Sequence, residues 1–350
     1  MSIDASPMAM GAGGLPLVAI SGGPYETGQA LGRHGRLAVH EHLVKSDIWH
    51  DVTGERHHPR VARMLDHSRR HHPAVVEEIR GLAHGLELPF QSVFAWNCRG
   101  DLLANSPDGC TTVMLPGDEP CIAHNEDGLP FFDGASFLAS VKPDGAPGFL
   151  AFCYPGSIPG HTFALTAAGI VQTVNNLRLK RVEPEVPRMV LGRAMLSLNS
   201  LGKIHELLRQ APASGGFHFT LAQRGDPRLH SIEVGAGQAS HRHVETPMIH
   251  ANHALHHDCR QTRQIVTRSS HDRQVRGSEL LAAGERDPLT ILSDTGGGGL
   301  PIYRREPDDP DRENTLATGV FRLLNDAIQW EVHTPGGRRP LHGTDSSLFA

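Results

Sequence analysis

No stretch of this sequence approaches the roughly 18 consecutive apolar residues that a membrane-spanning helix needs. Its opening, MSIDASPMAMGAGGLP, has no basic start followed by an apolar run, so no secretory signal is expected there. Charge of one sign is not in excess: 33 Lys and Arg stand against 38 Asp and Glu, a formal net charge of -5. Such a chain has no global field to draw in nucleic acid, and no basic stripe with interleaved aromatics is present, so a nucleic-acid partner is not expected. Cysteines are few and irregularly spaced. The five are Cys98, Cys110, Cys121, Cys153 and Cys259. An odd count in a long chain argues against a disulfide framework and for a reducing compartment, with cytoplasm the default. Internal repeats and low-complexity tracts are missing too. The TGGGG run has no strand feeding it and no helix with Lys-Ser/Thr after it, so it reads as a loop and not a phosphate cradle. No cofactor is expected.

What is present suits one large folded unit. The 350 residues are 39% hydrophobic and 20% charged, enough to bury a substantial core. Apolar residues at helical spacing predict a helix from Glu26 to about Trp49. A second covers PAVVEEIRGLAHGLEL, with Pro73 suited to its first turn and Gly85 near its end. A third, short one lies around SVFAWNCRGDLL, so the chain reads as largely helical up to residue 109. Beyond Cys110 the pattern changes. TTVML, PCIAH, SFLASVK, FLAFC, HTFALT and GIVQTVNNL are short apolar or alternating runs separated by Gly, Pro and Asp, which predicts strands. Helices return at PRMVLGRAMLSL and LGKIHELLRQ, followed by strands at FHFTLAQR and LHSIEV, with NTLATGVFRLL and AIQWEVH as a last strand pair. Helices, many strands, helices and strands in that order predict an α+β layered fold and not a doubly wound parallel sheet.

At the junction stands PDGCTT, residues 107–112. Gly109 carries no side chain, so its backbone can be approached closely. A thiol at 110 can attack the carbonyl before it, form a thioester and let water cut the chain. The new terminus then carries a thiol and an α-amine in one residue. An α-amine has a reference pKa near 8, so near neutrality a useful fraction can take the thiol's proton. Nucleophile and base then belong to the same residue.

The stretch DGCTTVMLPGDEPCIAHNEDG resembles the cleavage junction of the autoproteolytic acyltransferase and hydrolase family typified by isopenicillin N acyltransferase, within the N-terminal nucleophile hydrolases. GGPYETGQALGRHG and WNCRGDLL resemble segments of that family's helical propiece. HNED, GIVQTVNNLR, HANHALHH, SSHDRQVRGSELL and DPLTILSDTGGGGLPIYR resemble later segments in the same order, over almost the whole chain. The resemblance implies a four-layer αββα sandwich forming one domain. It implies cleavage between Gly109 and Cys110, leaving a propiece of residues 1–109 associated with a chain of residues 110–350. It implies amide hydrolysis or acyl transfer through a thioester on Cys110, with a small-molecule amide as substrate. Thr112 matches a hydrogen-bonding threonine of the family's CTT segment. Asp127 matches the aspartate that holds the nucleophile's amine, and Asn252 the asparagine facing the oxyanion. Arg273 matches an arginine near the active site at looser spacing, and Asn176 and Arg178 are pocket residues. Glu126 stands where the penicillin enzyme has an aromatic. With His124 beside it, this suggests a more polar pocket and a small polar amide, such as a β-alanyl amide of an amine. Oligomeric state is not legible.

Histidine is abundant, with 24 residues, and opens a reading from another class. His250, His253, His256, His257 and Cys259 carry nitrogen and sulfur donors of the kind zinc uses, as in a metal-dependent hydrolase. None follows HExxH, and the entry TPMIHANH reads as a strand, where helical i, i+4 pairing does not hold. No catalytic metal is therefore expected.

Overall fold

The computed structural model describes residues 14–106, 108–180, 182–183, 185–210, 214–256, 263–306, 311–337 and 339–349. The apolar runs after Cys110 form strands of two facing sheets. The first has the order β1(Leu17–Gly22), β4(Phe137–Pro143), β5(Phe149–Cys153), β6(Phe163–Thr166), β7(Ile170–Leu177), β8(Gly216–Gln223), β9(His230–Gly235), β10(Gln238–His243). The second runs β11(Met248–His250), β2(Gly109–Leu115), β3(Cys121–Gly128), β12(Asn314–Leu323), β13(Ile328–His333), β14(Leu341–Thr344). All neighbours are antiparallel except β1 and β4. Met114, Ile122 and Phe321 face the first sheet across a common core that includes Phe152 and Phe163. Phe163 meets Phe321 edge-on at 6.0 Å and stacks on Phe152 at 5.2 Å.

Strand periodicity gives the second sheet an opposite apolar face. Val113, Ala123 and Val320 point outward there and pack with Leu281, Ile291 and Leu292. Those three come from α9(Arg268–Ala282) and α10(Pro288–Leu292). Each such side chain, fully buried, contributes about 1.5–3 kcal/mol. On the outside of the first sheet lie α1(Pro24–Glu41), α4(Pro73–Leu86), α7(Arg188–Met195) and α8(Leu201–Gln210). Helix, sheet, sheet, helix is the four-layer αββα sandwich, and the α+β class is the one the residue pattern predicts.

α1 and α4 meet through glycines. A Cβ on Gly28 would lie 1.8 Å from the Glu78 carbonyl oxygen, and one on Gly81 would lie 1.9 Å from that of Tyr25. Only residues without side chains permit that approach.

Besides the unpredicted strands β10 and β14, three local details differ from the sequence reading. The helix from Glu26 does not reach Trp49: it stops at Glu41, and α2(Asp47–Val52) restarts because Ser46 caps it, accepting from Trp49 N at 3.3 Å. α3(His58–His71) escapes detection because its apolar stripe is narrow, with Val61 and Met64 buried amid His and Arg. The segment before residue 109 also holds a strand. β1 pairs with β4 from Leu17↔Leu138 onward, a partner too distant in sequence for local pattern to show. α5(Phe90–Trp96) and α6(Arg99–Leu102) then lead the chain to β2.

Candidate active site

The register of β2 against β3 builds the site. Gly109 stands opposite Asp127, Cys110 opposite Glu126, Thr111 opposite Asn125 and Thr112 opposite His124. Cross-strand partners share a face, and successive residues alternate. Cys110, Thr112, His124 and Glu126 therefore face the first sheet. Gly109, Thr111, Asn125 and Asp127 face α9 and α10. Every residue of β3 is buried.

The backbone on both sides of the 109–110 bond is clamped. Ahead of it, Asp108 pairs with Arg99 at 2.9 Å, and the Asp108 carbonyl accepts from Asn176 Nδ2 at 3.1 Å. After it, Cys110 N donates to Asn252 Oδ1 at 2.9 Å. The Cys110 carbonyl accepts from Arg273 Nη1 at 2.5 Å, and Arg273 Nη2 donates to Asn252 Oδ1 at 2.6 Å. Arg273 also donates to Thr111 Oγ1 at 2.7 Å and is fully buried. Asn252 thus turns its oxygen toward Cys110, because a peptide N–H and a guanidinium both require an acceptor. Its NH2 donates to the Asn176 carbonyl at 3.2 Å.

On the inner face the hydrogen bonds fix where protons sit. Asn175 Nδ2 donates to the His250 carbonyl at 3.0 Å, so its Oδ1 is an acceptor. Thr112 has one hydroxyl proton and gives it to that oxygen at 2.7 Å. His124 Nδ1, 2.8 Å from Thr112 Oγ1, is then the donor in that contact. Burial lowers the His124 imidazole to about 3, so the ring is neutral and its Nε2 is bare. The 3.0 Å contact between Nε2 and Glu126 Oε2 consequently takes its proton from Glu126. Burial pushes the Glu126 carboxyl well above its usual range, in agreement. Tyr154 donates to its other oxygen at 2.6 Å. Cys110 Sγ lies 3.7 Å from Glu126 Oε2. Burial above all, with the neighbouring Glu126 and Asp127 carboxyl groups adding to it, raises the thiol well above its ordinary value, while a hydrogen bond from the Asn176 backbone acts in the opposite direction. The thiol of the uncut chain is therefore protonated and dormant.

On the outer face, Glu313 lies under the junction, held by Arg178 at 2.6 Å and Arg304 at 3.1 Å. Burial raises its carboxyl to about 7 against the pull of both guanidiniums. A Cβ on residue 109 would stand 2.2 Å from Glu313 Oε2. The two arginines prevent that carboxylate from swinging aside, so only glycine fits. Gly109→Ala should cost about 1–3 kcal/mol by overpacking and should slow any cleavage at the junction. Denaturant midpoints and intact mass check both. Asp127 borders the same spot, its Oδ1 accepting from Thr315 Oγ1 at 2.7 Å beside a bulge in β12.

The family described as acyl-coenzyme A:6-aminopenicillanic acid acyl-transferase matches residues 114–336. The chain belongs to this family. Members of the acyl-transferase family are enzymes of the amide hydrolase and acyltransferase class, and this chain is one of them. A similar curated protein is the beta-alanyl-dopamine/carcinine hydrolase of Drosophila melanogaster, 24% identical over 306 residues that cover 77% of this chain and 78% of that protein. Among solved structures, a mutant conjugated bile acid hydrolase from Clostridium perfringens aligns at 9% identity and a TM-score of 0.43. A second variant of it aligns at 10% identity and a TM-score of 0.45. Each alignment covers 69% of this chain and 94% of the other.

In this acyl-transferase family member, Gly109, Cys110, Thr112, His124, Glu126, Asp127, Asn176, Asn252 and Arg273 gather around the start of β2. Arg178 stands one layer away on Glu313, and its Nε and Nη1 find no hydrogen-bond partner among the described residues. Tyr154, Asn175, Arg304, Glu313 and Thr315 complete the site; the sequence reading singles out none of them, although Asn175 and Arg304 lie in the quoted segments GIVQTVNNLR and DPLTILSDTGGGGLPIYR, because other strands and loops deliver them. His250, His253 and His256 of HANHALHH do not converge. His250 bonds to Glu233 at 2.9 Å, His253 to Ser270 at 2.8 Å and His256 to Ser231 at 3.0 Å. Among the described residues these three form no common ligand group. His257 and Cys259 lie outside the described residues.

Proposed function

We propose that this chain is a self-processing N-terminal cysteine amidohydrolase that cleaves a small polar amide. The observation that carries the reading is a buried thiol at a peptide bond clamped on both sides, in a member of the acyl-transferase family. Cys110 Sγ adds to the Gly109 carbonyl, the C–N bond breaks, and water releases residues 1–109 from the thioester. Because the α-amine does not yet exist, the first proton must leave by another route. Glu126 takes the thiol's proton while passing its own to His124 Nε2, along contacts of 3.7 and 3.0 Å, and the relay runs back to protonate the Cys110 nitrogen as the C–N bond breaks. After the cut, the Cys110 amine is the base. Asp127 holds that amine, and Asn252 swings its NH2 toward the substrate oxyanion once the peptide N–H is gone. Thr112 fixes the His124 tautomer.

The two pieces stay associated, supported by β1 pairing with β4 as the edge strand of the first sheet and by the shared core. Four described cysteines are free and buried, which supports a reducing, cytoplasmic setting. No described helix is long and apolar enough to cross a membrane. The polar pair His124 and Glu126 beside the thiol supports a small polar amide. The β-alanyl amides named for the insect relative are the first compounds to try. Acyl transfer from a coenzyme A thioester to an amine is the second reading, supported by the family's description.

Purified protein should show a second chain beginning at Cys110, by N-terminal sequencing. It should release amine from a β-alanyl amide without an added acceptor. Product that forms only when acyl-CoA and a free amine are both supplied would move the assignment to acyltransferase. Activity in material blocked at residue 110 would overturn both.

A further inference from the structure

A second group of histidines sits at the far edge of the first sheet, away from Cys110. His205 comes from α8, His230 from β9 and His241 from β10, where His230 and His241 lie on adjacent strands. One ring nitrogen of each lies within 4.8 Å of the other two. His230 Nδ1 and His241 Nε2 are 3.0 Å apart. Two nitrogens on one tetrahedral zinc, each roughly 2.0–2.1 Å from the metal, stand about 3.3 Å apart. Closing this group on an ion therefore needs only side-chain adjustment.

Two observations point to a ligand rather than to a settled hydrogen-bond network. Among the described residues, His205 Nε2 is buried and finds no hydrogen-bond partner. The rings also crowd together: His205 lies 4.4 Å from His241 and 5.2 Å from His230 between centroids, and His243 lies 4.9 Å from both strand rings. Beyond His230, Asp226 Oδ2 stands 3.7 Å from Nε2 and is itself fixed by Arg228 at 2.7 Å. A carboxylate in that place orients a ligating imidazole. His205 and His241 open onto a surface cavity of about 400 Å³, which gives an ion a path in. Burial holds all three imidazoles below their ordinary pKa, toward the unprotonated form that binds metal.

We infer that His205, His230 and His241 form a binding site for a first-row divalent transition metal of the zinc type, which ties α8 to the β9–β10 hairpin. Three imidazoles suit zinc, cobalt, nickel or copper and do not suit magnesium or calcium, which take oxygen ligands. His243 or water supplies the fourth position. The site is separate from the reacting thiol and has no part in acyl transfer.

Untagged, chelator-stripped full-length protein titrated calorimetrically with ZnCl2, and spectroscopically with CoCl2, tests this. Wild type should bind with saturable stoichiometry, and cobalt should give the visible bands of a low-coordinate nitrogen site. The double variant H205A/H241A should lose one equivalent while circular dichroism and amide-cleaving activity stay unchanged, since its two positions are on a helix face and an exposed strand. Cys110→Ala should keep that equivalent, because Cys110, His124 and Glu126 are the other described group able to gather round an ion. Absence of saturable binding in wild type, full stoichiometry in H205A/H241A, or loss of the equivalent in Cys110→Ala would each overturn the assignment.

Discussion

Cys110→Ala should leave one uncut chain of 350 residues and lower amide turnover by about 10⁴-fold or more, the range seen when a covalent nucleophile is removed. Two losses coincide because one sulfur atom serves both steps. Without it there is no thioester at the junction, and without the cut there is no α-amine to act as base. Fold should survive, since the side chain is small and faces a polar network, and the clamp on residue 110 is made by its backbone N–H and carbonyl. Cys110→Ser separates the steps. A hydroxyl can still attack, more slowly, so some cut chain should accumulate over days while turnover stays low. Intact mass and N-terminal sequencing measure processing, and amine release measures turnover. An uncut Cys110→Ala chain with unimpaired turnover would remove the thiol from the mechanism.

The sequence carried the chemistry of this site better than its scaffolding. Cys110 and Gly109 were legible because a thiol after a glycine, between a helical and a strand-rich segment, has a chemical meaning by itself. The reason for the glycine was not legible. It lies in Glu313, some two hundred residues later, pinned by Arg178 and Arg304 beneath the junction. His124 and Glu126 could be read as a polar patch from their place beside the cysteine strand. Their protonation states could not, because they depend on Asn175 in β7 and on Tyr154, which the first sheet brings across the core. Arg273 illustrates the same limit. Only the resemblance of SSHDRQVRGSELL marks it; on a helix with several exposed charges its chemistry has no local sign, yet α9 packing inserts it fully between Cys110 and Asn252. Strand alternation predicted which residues would face together, but the partner sheet decides what they meet.

Glu126→Gln should arrest or slow processing by about 10²–10⁴-fold, the usual contribution of a positioned proton acceptor, while the chain folds normally. The neutral amide reproduces both hydrogen bonds of a neutral carboxyl: its oxygen accepts from Tyr154 and its NH2 donates to His124 Nε2. It cannot take the thiol's proton and hand one on. Glu126→Leu, by contrast, leaves the Tyr154 hydroxyl and His124 Nε2 unpaired, at roughly 1–3 kcal/mol for each. The pH dependence separates these effects further. Burial raises the Glu126 carboxyl above its ordinary 4.5, so above that pH the folded chain holds a proton that the unfolded chain has lost. The stability that this proton contributes is full below about pH 4.5 and declines as pH rises toward the folded pKa. Glutamine has no proton to lose. Measured by denaturant midpoints in the uncut Cys110→Ala background, the Gln variant should gain on Glu126 by up to about 1.4 kcal/mol per pH unit above that point. A flat difference across pH 5–7 would mean that Glu126 is ionised in the folded chain, and the proton route from thiol to His124 would then have to be redrawn with the carboxylate as the terminal base.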